Sequence, residues 1–334
     1  AEEGIRYGER SRGLGDVYKR QSLSNGDQMT DLMGPLAYTY GSYKIETLEA
    51  PRVEKAPISL PWLKAEPPDV FRVMTWNVEN LFDILAPHPA SPPLPRKSEY
   101  ERDLSKVADT ILAAGAPTLV GLQEVEHIGI LEDLAALPGL LPYDYQPILI
   151  EGTDGRGIDV GYLVRGDRAQ ILEARAFPAP EGLTSRPPLM IRVRVQTTQG
   201  ETTLYLLNNH FTSMSGGEEA TEPRRIEQAA WNVEILERIL SKDDHAHVIL
   251  LGDLNSFYDS GPLEVLRDAG LRHVFERLAP EDRYTYVYRG VSQALDHILV
   301  TPGLFDQLVD ATVLHLDADY GLPVSYTHLT LPTN

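Results

Sequence analysis

Short apolar runs recur along this chain, and a polar cluster sits at the edge of each one. FRVM (71–74), TLVGL (118–122), LYLL (204–207), HVILL (247–251) and VSQAL (291–295) have the length and composition of buried strands. The clusters beside them read TWNVEN (75–80), LQEVE (122–126), NNH (208–210), GDLNS (252–256) and LDH (295–297). Two helices stand between the runs. Ser98 with Glu101 makes a capping-box signature, Leu104, Val107, Ala108, Ile111 and Leu112 form one face, and Gly115 and Pro117 end it. A second helix is expected from Pro223 to Ile239, with Ile226, Ala230, Val233 and Leu236 or Leu240 on one side. Apolar runs alternating with amphipathic segments predict a layered α/β domain from Phe71 onward.

The regions before Phe71 read differently. Residues 22–50 are strand and hairpin material, followed by Pro51, Pro57, Pro61, Pro67 and Pro68. Residues 22–66 are therefore expected to be the tail of an upstream small β domain plus a proline-rich linker. The main domain spans 67–322. Residues 1–21, containing DVYKRQ, and 323–334, containing PVSYTHLTLPT, match translated cloning-adapter sequence at both ends and are set aside from fold reasoning. Two loops, 86–95 and 213–223, would lie near a site formed by converging clusters.

Composition narrows the chemistry. Of 334 residues, 42% are apolar, enough for a sizeable core, and no apolar run is long enough to span a membrane. The absence of cysteine excludes disulfides, thiolate metal sites and a cysteine nucleophile. A net charge of −19 argues against a tight nucleic-acid binder but not against an enzyme that meets phosphate through a metal ion. No Walker loop, GxGxxG, GxSxG or HExxH occurs.

The clusters themselves supply carboxylates, amides and one histidine, the groups that hold a hard divalent cation and a phosphate ester. Asp253 and Asn255 alternate on a strand-like face; Asp253 suits water activation and Asn255 a phosphate oxygen, although GDLNS also reads as a turn. Glu124 is a candidate metal ligand or a first-turn helix residue. Asn77 is a second candidate ligand through its amide oxygen. Asn208 and His210 share a strand face, Asn208 facing phosphate and His210 binding phosphate or moving a proton. Asp296 suits a carboxylate that orients a histidine, and His297 points to the opposite face. Arg156 offers a planar fork to phosphate or is a surface residue of a glycine-rich turn. Asn80, Glu79 and Asp159 read as structural, Gln123 as support for its neighbour, and Arg224 and Arg225 as solvated charge.

In order, Trp76–Asn77, Gln123–Glu124, Arg156, Asn208–His210, Gly252–Asn255 and Asp296 resemble the ordered blocks of the endonuclease/exonuclease/phosphatase superfamily. The resemblance covers about residues 70–300, and NNHFTSMSGGEEATEPRR is similar to its bacterial extracellular-nuclease branch. It implies a four-layer α/β sandwich, with two packed mixed β-sheets flanked by helices. It implies Mg2+ or Mn2+ at Glu124 and Asn77, with Ca2+ as a structural ion. Catalysis would fall to Asp253, His210, Asn208, Asn255 and Asp296, with Arg156, Asn208 and Asn255 on the phosphate. DNA or RNA would be the substrate rather than a stable partner, in an extracellular or periplasmic setting. A phosphatase or sphingomyelinase-like phosphodiesterase on a small ester is the alternative, and a non-catalytic binding module a third. The superfamily's terminal Ser-Asp-His and last strand are expected after residue 322, where adapter-like sequence begins, so the chain as written is expected to be inactive. Thr327–His328 is not a substitute.

Overall fold

A computed structural model describes residues 27–39, 42–55, 62–288 and 291–316. The adapter-like ends, residues 22–26, the expected last strand and Thr327–His328 lie outside the described residues.

The chain divides into two compact units, residues 1–61 with 315–334, and residues 62–314. In the first, β1 (Gln28–Thr30) pairs antiparallel with β4 (Arg52–Glu54), and β2 (Leu36–Thr39) with β3 (Ser42–Ile45). These agree with the hairpin reading of residues 22–50.

The second unit contains the sandwich. One mixed sheet runs β5–β6–β8–β7, from β5 (Val73–Leu81), β6 (Leu119–Val125), β7 (Tyr145–Leu149) and β8 (Asp159–Arg165). The other runs β13–β16–β12–β11–β10–β9, from β9 (Ala169–Ala176), β10 (Leu189–Thr197), β11 (Gly200–His210), β12 (His247–Asp253), β13 (Arg272–His273) and β16 (Asp296–Val300). Each sheet has one parallel pair joined through a helix: β5–β6 across α1 (Lys97–Ala113), and β11–β12 across α3 (Glu218–Leu240). With α2 (Ile128–Ala135) and α4 (Gly261–Asp268) these helices cover the outer faces. A short α5 (Pro302–Phe305) follows β16.

Strand periodicity sorts the side chains into layers. On β6, Leu119 joins the cluster between the sheets while Val120 and Leu122 pack against Leu104, Val107 and Ile111 of α1. On β12, Ile249 and Leu251 face inward, while Val248 and Leu250 meet Ile235 and Leu236 of α3. Each fully buried Leu, Ile or Val contributes roughly 1.5–3 kcal/mol by leaving water. The sheets pack closely at Gly121, where an added Cβ would lie 2.5 Å from Leu251 Cδ1.

Three sequence expectations are corrected. Helix α1 begins at Lys97, with Glu99 accepting the Arg96 N–H at 2.8 Å, so Ser98 is inside the helix rather than its cap. Helix α3 begins at Glu218 and carries Pro223 within it; proline costs one backbone bond there and does not mark the start. VSQAL is not one buried strand. Val291–Gln293 forms β15, paired with β14 (Tyr286–Tyr288) in a mostly exposed two-stranded hairpin, and only Ala294 enters the core.

Candidate active site

The same period-two pattern sets where the polar residues go. Counting outward from the core positions, Asn77 on β5, Gln123 on β6, Asn208 and His210 on β11, Asp253 on β12 and Asp296 on β16 share the inward phase. Where strands end, that face opens to the rim.

Glu124 breaks the phase. Simple alternation would turn it outward, toward α1. Instead β6 is bulged between Gln123 and Val125, and Glu124 has φ +67°, which re-aims its carboxylate. Strand β5 is irregular alongside, with Glu79 at φ +54° and Asn80 at φ +51°. The Asn80 N–H thereby reaches Glu124 Oε2 at 2.9 Å.

Gly252 makes the β12 end possible. It has φ +133°, and a Cβ there would fall 2.0 Å from the Asn209 carbonyl oxygen. Asp253 follows. Its Oδ1 accepts the Asn255 N–H at 2.8 Å and its Oδ2 the Asn77 Nδ2–H at 2.9 Å. Asn255 therefore lies beyond the strand in a left-handed turn, at φ +45°, rather than alternating along it. Its Nδ2 donates to Phe211 O at 3.2 Å, leaving one amide hydrogen for another acceptor.

His210 is buried, with Nε2 at 3.7 Å from both Glu124 Oε1 and Asp253 Oδ2. Arg156 Nη2 donates to Glu124 Oε2 at 2.8 Å and also to Asn80 Oδ1. The Arg156 side chain is half-exposed, so its fork faces outward from the cluster as well as into it. Asp296 begins β16 directly opposite Asp253 in the ladder, and its N–H donates to Thr285 Oγ1 at 3.1 Å. Asn77, Glu124, Arg156, His210, Asp253, Asn255 and Asp296 are thus brought together around one rim.

Burial governs the electrostatics. Desolvation, reinforced by the charge of Glu124, holds the Asp253 carboxyl above the ordinary carboxylate range against the bonds from Asn77 and Asn255. Burial, with the guanidinium groups of Arg186 and Arg156, keeps His210 far below the usual histidine value, hence neutral.

Asn208 is the expectation the geometry overturns. It is fully buried, deeper along β11 than His210. Its Nδ2 donates to Leu122 O at 3.0 Å and Gly161 O at 2.9 Å, and its Oδ1 accepts Gln123 Nε2 at 2.7 Å. The amide cross-links the two sheets and cannot meet a phosphate. Arg225 is likewise not solvated: it is 1% exposed and donates to Thr221 Oγ1 at 2.6 Å. His297 points away from Asp296, as its strand position requires, and bonds Ser256 O at 2.7 Å.

Asp154 and Arg186 were not expected. Arg186 donates to Asp154 and to the carbonyls of His210 (3.3 Å) and Phe211 (3.2 Å). No local pattern marks either residue, because GTDGRG and LTSRPP read as turns. Asn80, read as structural, is the acceptor that steadies Arg156.

A second acid–histidine group lies on the loops after β5 and β6. Asp83, Glu126 and His127 bring potential ligand atoms within 4.8 Å of one another. His127 Nδ1 accepts the Gly129 N–H at 3.0 Å, which places the ring hydrogen on Nε2, 3.1 Å from Asp83 Oδ2. In this tautomer only the carboxylates offer lone pairs to a cation. Among the described residues no helix is long and apolar enough to cross a membrane.

A search of curated proteins finds no match. Among solved structures, D. rerio TDP2 complexed with single-strand DNA product is 21% identical at a TM-score of 0.49, with 69% of this chain and 82% of that chain covered. The human Nocturnin catalytic domain with bound sulfate is 18% identical at 0.49, covering 71% and 88%. The Bacteroides thetaiotaomicron VPI-5482 mannosyl-6-phosphatase is 19% identical at 0.46, covering 69% and 85%. The sequence profile described as "Endonuclease/Exonuclease/phosphatase family" matches residues 72–316, most of the chain and all of the rim described above. The chain belongs to the endonuclease/exonuclease/phosphatase family.

Proposed function

We propose that this chain carries the site of a metal-dependent phosphodiesterase that cleaves DNA or RNA by attack of an activated water on phosphorus. The observation behind this reading is the convergence of Glu124, His210, Asp253 and Asn77, each from a different strand, within hydrogen-bond or ion-pair reach of one another. Membership of a family of phosphoric ester hydrolases supports it.

The buried carboxylates of Glu124 and Asp253, with the amide oxygen of Asn77 beside them, form an all-oxygen donor set suited to a hard cation. Glu124 and Asn77 would hold Mg2+ or Mn2+, which when bound would offset the charge of the scissile phosphate. Asp253, with its raised proton affinity, orients and deprotonates the water. His210 Nε2 faces both carboxylates, so its hydrogen belongs on that nitrogen and is donated to a phosphate oxygen. The second amide hydrogen of Asn255 and the exposed side of the Arg156 fork meet the developing negative charge. Asp296, facing Asp253 across the ladder, would orient the histidine of the terminal Ser-Asp-His expected after residue 322, which completes the acid–base set. The extracellular or periplasmic setting that the resemblance implies belongs to the same proposal.

A small phosphoester is the second reading, favoured by the net charge of −19, which repels a polyanion. The test is hydrolysis, by the full-length parent protein, of supercoiled plasmid, single-stranded DNA and RNA, and of p-nitrophenyl phosphate and sphingomyelin, with Mg2+ or Mn2+ and with chelator. Nucleic-acid cleavage that chelator abolishes and Asp253→Ala lowers by about 100-fold or more is expected. Turnover of the small esters alone favours the second reading. No metal-dependent hydrolysis of any of them by the full-length parent leaves a binding module.

A further inference from the structure

The loop carrying Arg156, between β7 and β8, contains Gly152, Gly155 and Gly157 and has little rigidity of its own. It is held instead by a segment some thirty residues downstream. Asp154 Oδ1 accepts the Arg156 N–H at 2.9 Å. Asp154 Oδ2 accepts Ser185 Oγ–H at 2.7 Å and Arg186 Nη1–H. Thr153 N–H donates to Ser185 O at 2.8 Å, closing the seam. The other nitrogens of the same guanidinium, Nε and Nη2, reach the carbonyls of His210 and Phe211 at the end of β11. Both members of the pair are about nine-tenths buried, at 9% and 10% side-chain exposure.

We propose that Asp154 and Arg186 are positioning residues. Together they form a buried ion-pair clamp that fixes the Arg156 fork over Glu124 and, with the same guanidinium, fixes the strand end that presents His210. Neither residue touches substrate. The clamp's relevance to catalysis rests on the roles given above to Arg156 and His210. Its chemistry is specific to arginine, because one planar fork must serve a carboxylate and two carbonyls at once, which a lysine ammonium cannot do from one position. Removing either partner's charge leaves the other's buried with neutral hydrogen-bond partners and no opposite charge, so the loop loses its anchor.

The experiment compares wild type with Asp154→Asn, Arg186→Met, Arg186→Lys and the Asp154→Asn/Arg186→Met double variant by hydrogen exchange. Each single variant should raise exchange of the amides of residues 151–158 by about 10-fold or more while α3 and β12 keep their protection. The double variant should equal the singles, and lysine should not rescue. On nucleic acid, Arg186→Met in the full-length protein should lower kcat by about 10–100-fold and by distinctly less in an Arg156→Met background, where only the hold on the His210 strand end is left to lose. Unchanged exchange in 151–158, loss of protection throughout both sheets, or fully additive losses with Arg156→Met would overturn the clamp. If the full-length wild type hydrolyses no phosphoester, the functional reading fails, and the exchange data alone still decide for or against the clamp.

Discussion

Asn208 and His210 stand two residues apart on β11, face the same way and do different things. His210 is at the strand end, 3.7 Å from two carboxylates; Asn208 is one pleat deeper, where its amide ties Leu122 O, Gly161 O and Gln123 together. The sequence was enough to show that they share a face, because a strand's period is fixed. It was not enough to show how far from the rim each one lies, because that depends on where the opposing sheet ends. Asn208→Ala should therefore act on stability rather than chemistry. It leaves three interior hydrogen-bonding groups short of a partner, and a loss of about 2–4 kcal/mol is expected from urea denaturation, with kcat of the folded fraction little changed. A large fall in kcat without loss of stability would return Asn208 to the phosphate.

At the scale of elements, the strands that flank the clusters were legible because they are apolar, short and bounded by turns. The details that aim the side chains were not. Nothing in LQEVE announces that β6 carries one extra residue at Glu124, or that Asn255 leaves the strand for a left-handed turn. Arg186 was invisible because its partners are distant in sequence and its own surroundings read as a loop. One local feature was readable in principle. Gly252 before Asp253 is required by φ +133° and by the approach of Asn209 O to 2.0 Å of where a Cβ would be. Gly252→Ala should destabilise the protein by more than about 3 kcal/mol, since backbone must move to admit the methyl group. Thermal denaturation measures this, and a melting temperature within a few degrees of wild type would contradict the close packing of β11 on β12.

For the whole molecule, acid sensitivity follows from a buried imidazole pair away from the rim. His273 Nδ1 accepts the Phe275 N–H, its Nε2 lies 2.9 Å from His297 Nδ1, and His297 Nε2 donates to Ser256 O. This relay is satisfied only when both rings are neutral. Burial lowers His297 to about 4 and pushes His273 well down. The unfolded chain, with its histidines near the usual 6.5, takes up protons first as the pH falls. The stabilisation is full above about pH 6.5 and is lost between there and about pH 4, with His297 alone worth roughly 3 kcal/mol. Urea midpoints across this range should fall, and His297→Gln should flatten the slope. An unchanged slope would mean that other groups set the acid limit.

The close approach of the sheets at Gly121 has its own consequence. Asn77 and Glu124 ride on the four-stranded sheet, while His210 and Asp253 ride on the six-stranded one. The thickness of the interior therefore sets the gap between these residues, and a hydrogen atom at position 121 is the shim that keeps it thin. A bulkier residue there would wedge the two halves apart and separate these four side chains although none of them had been replaced.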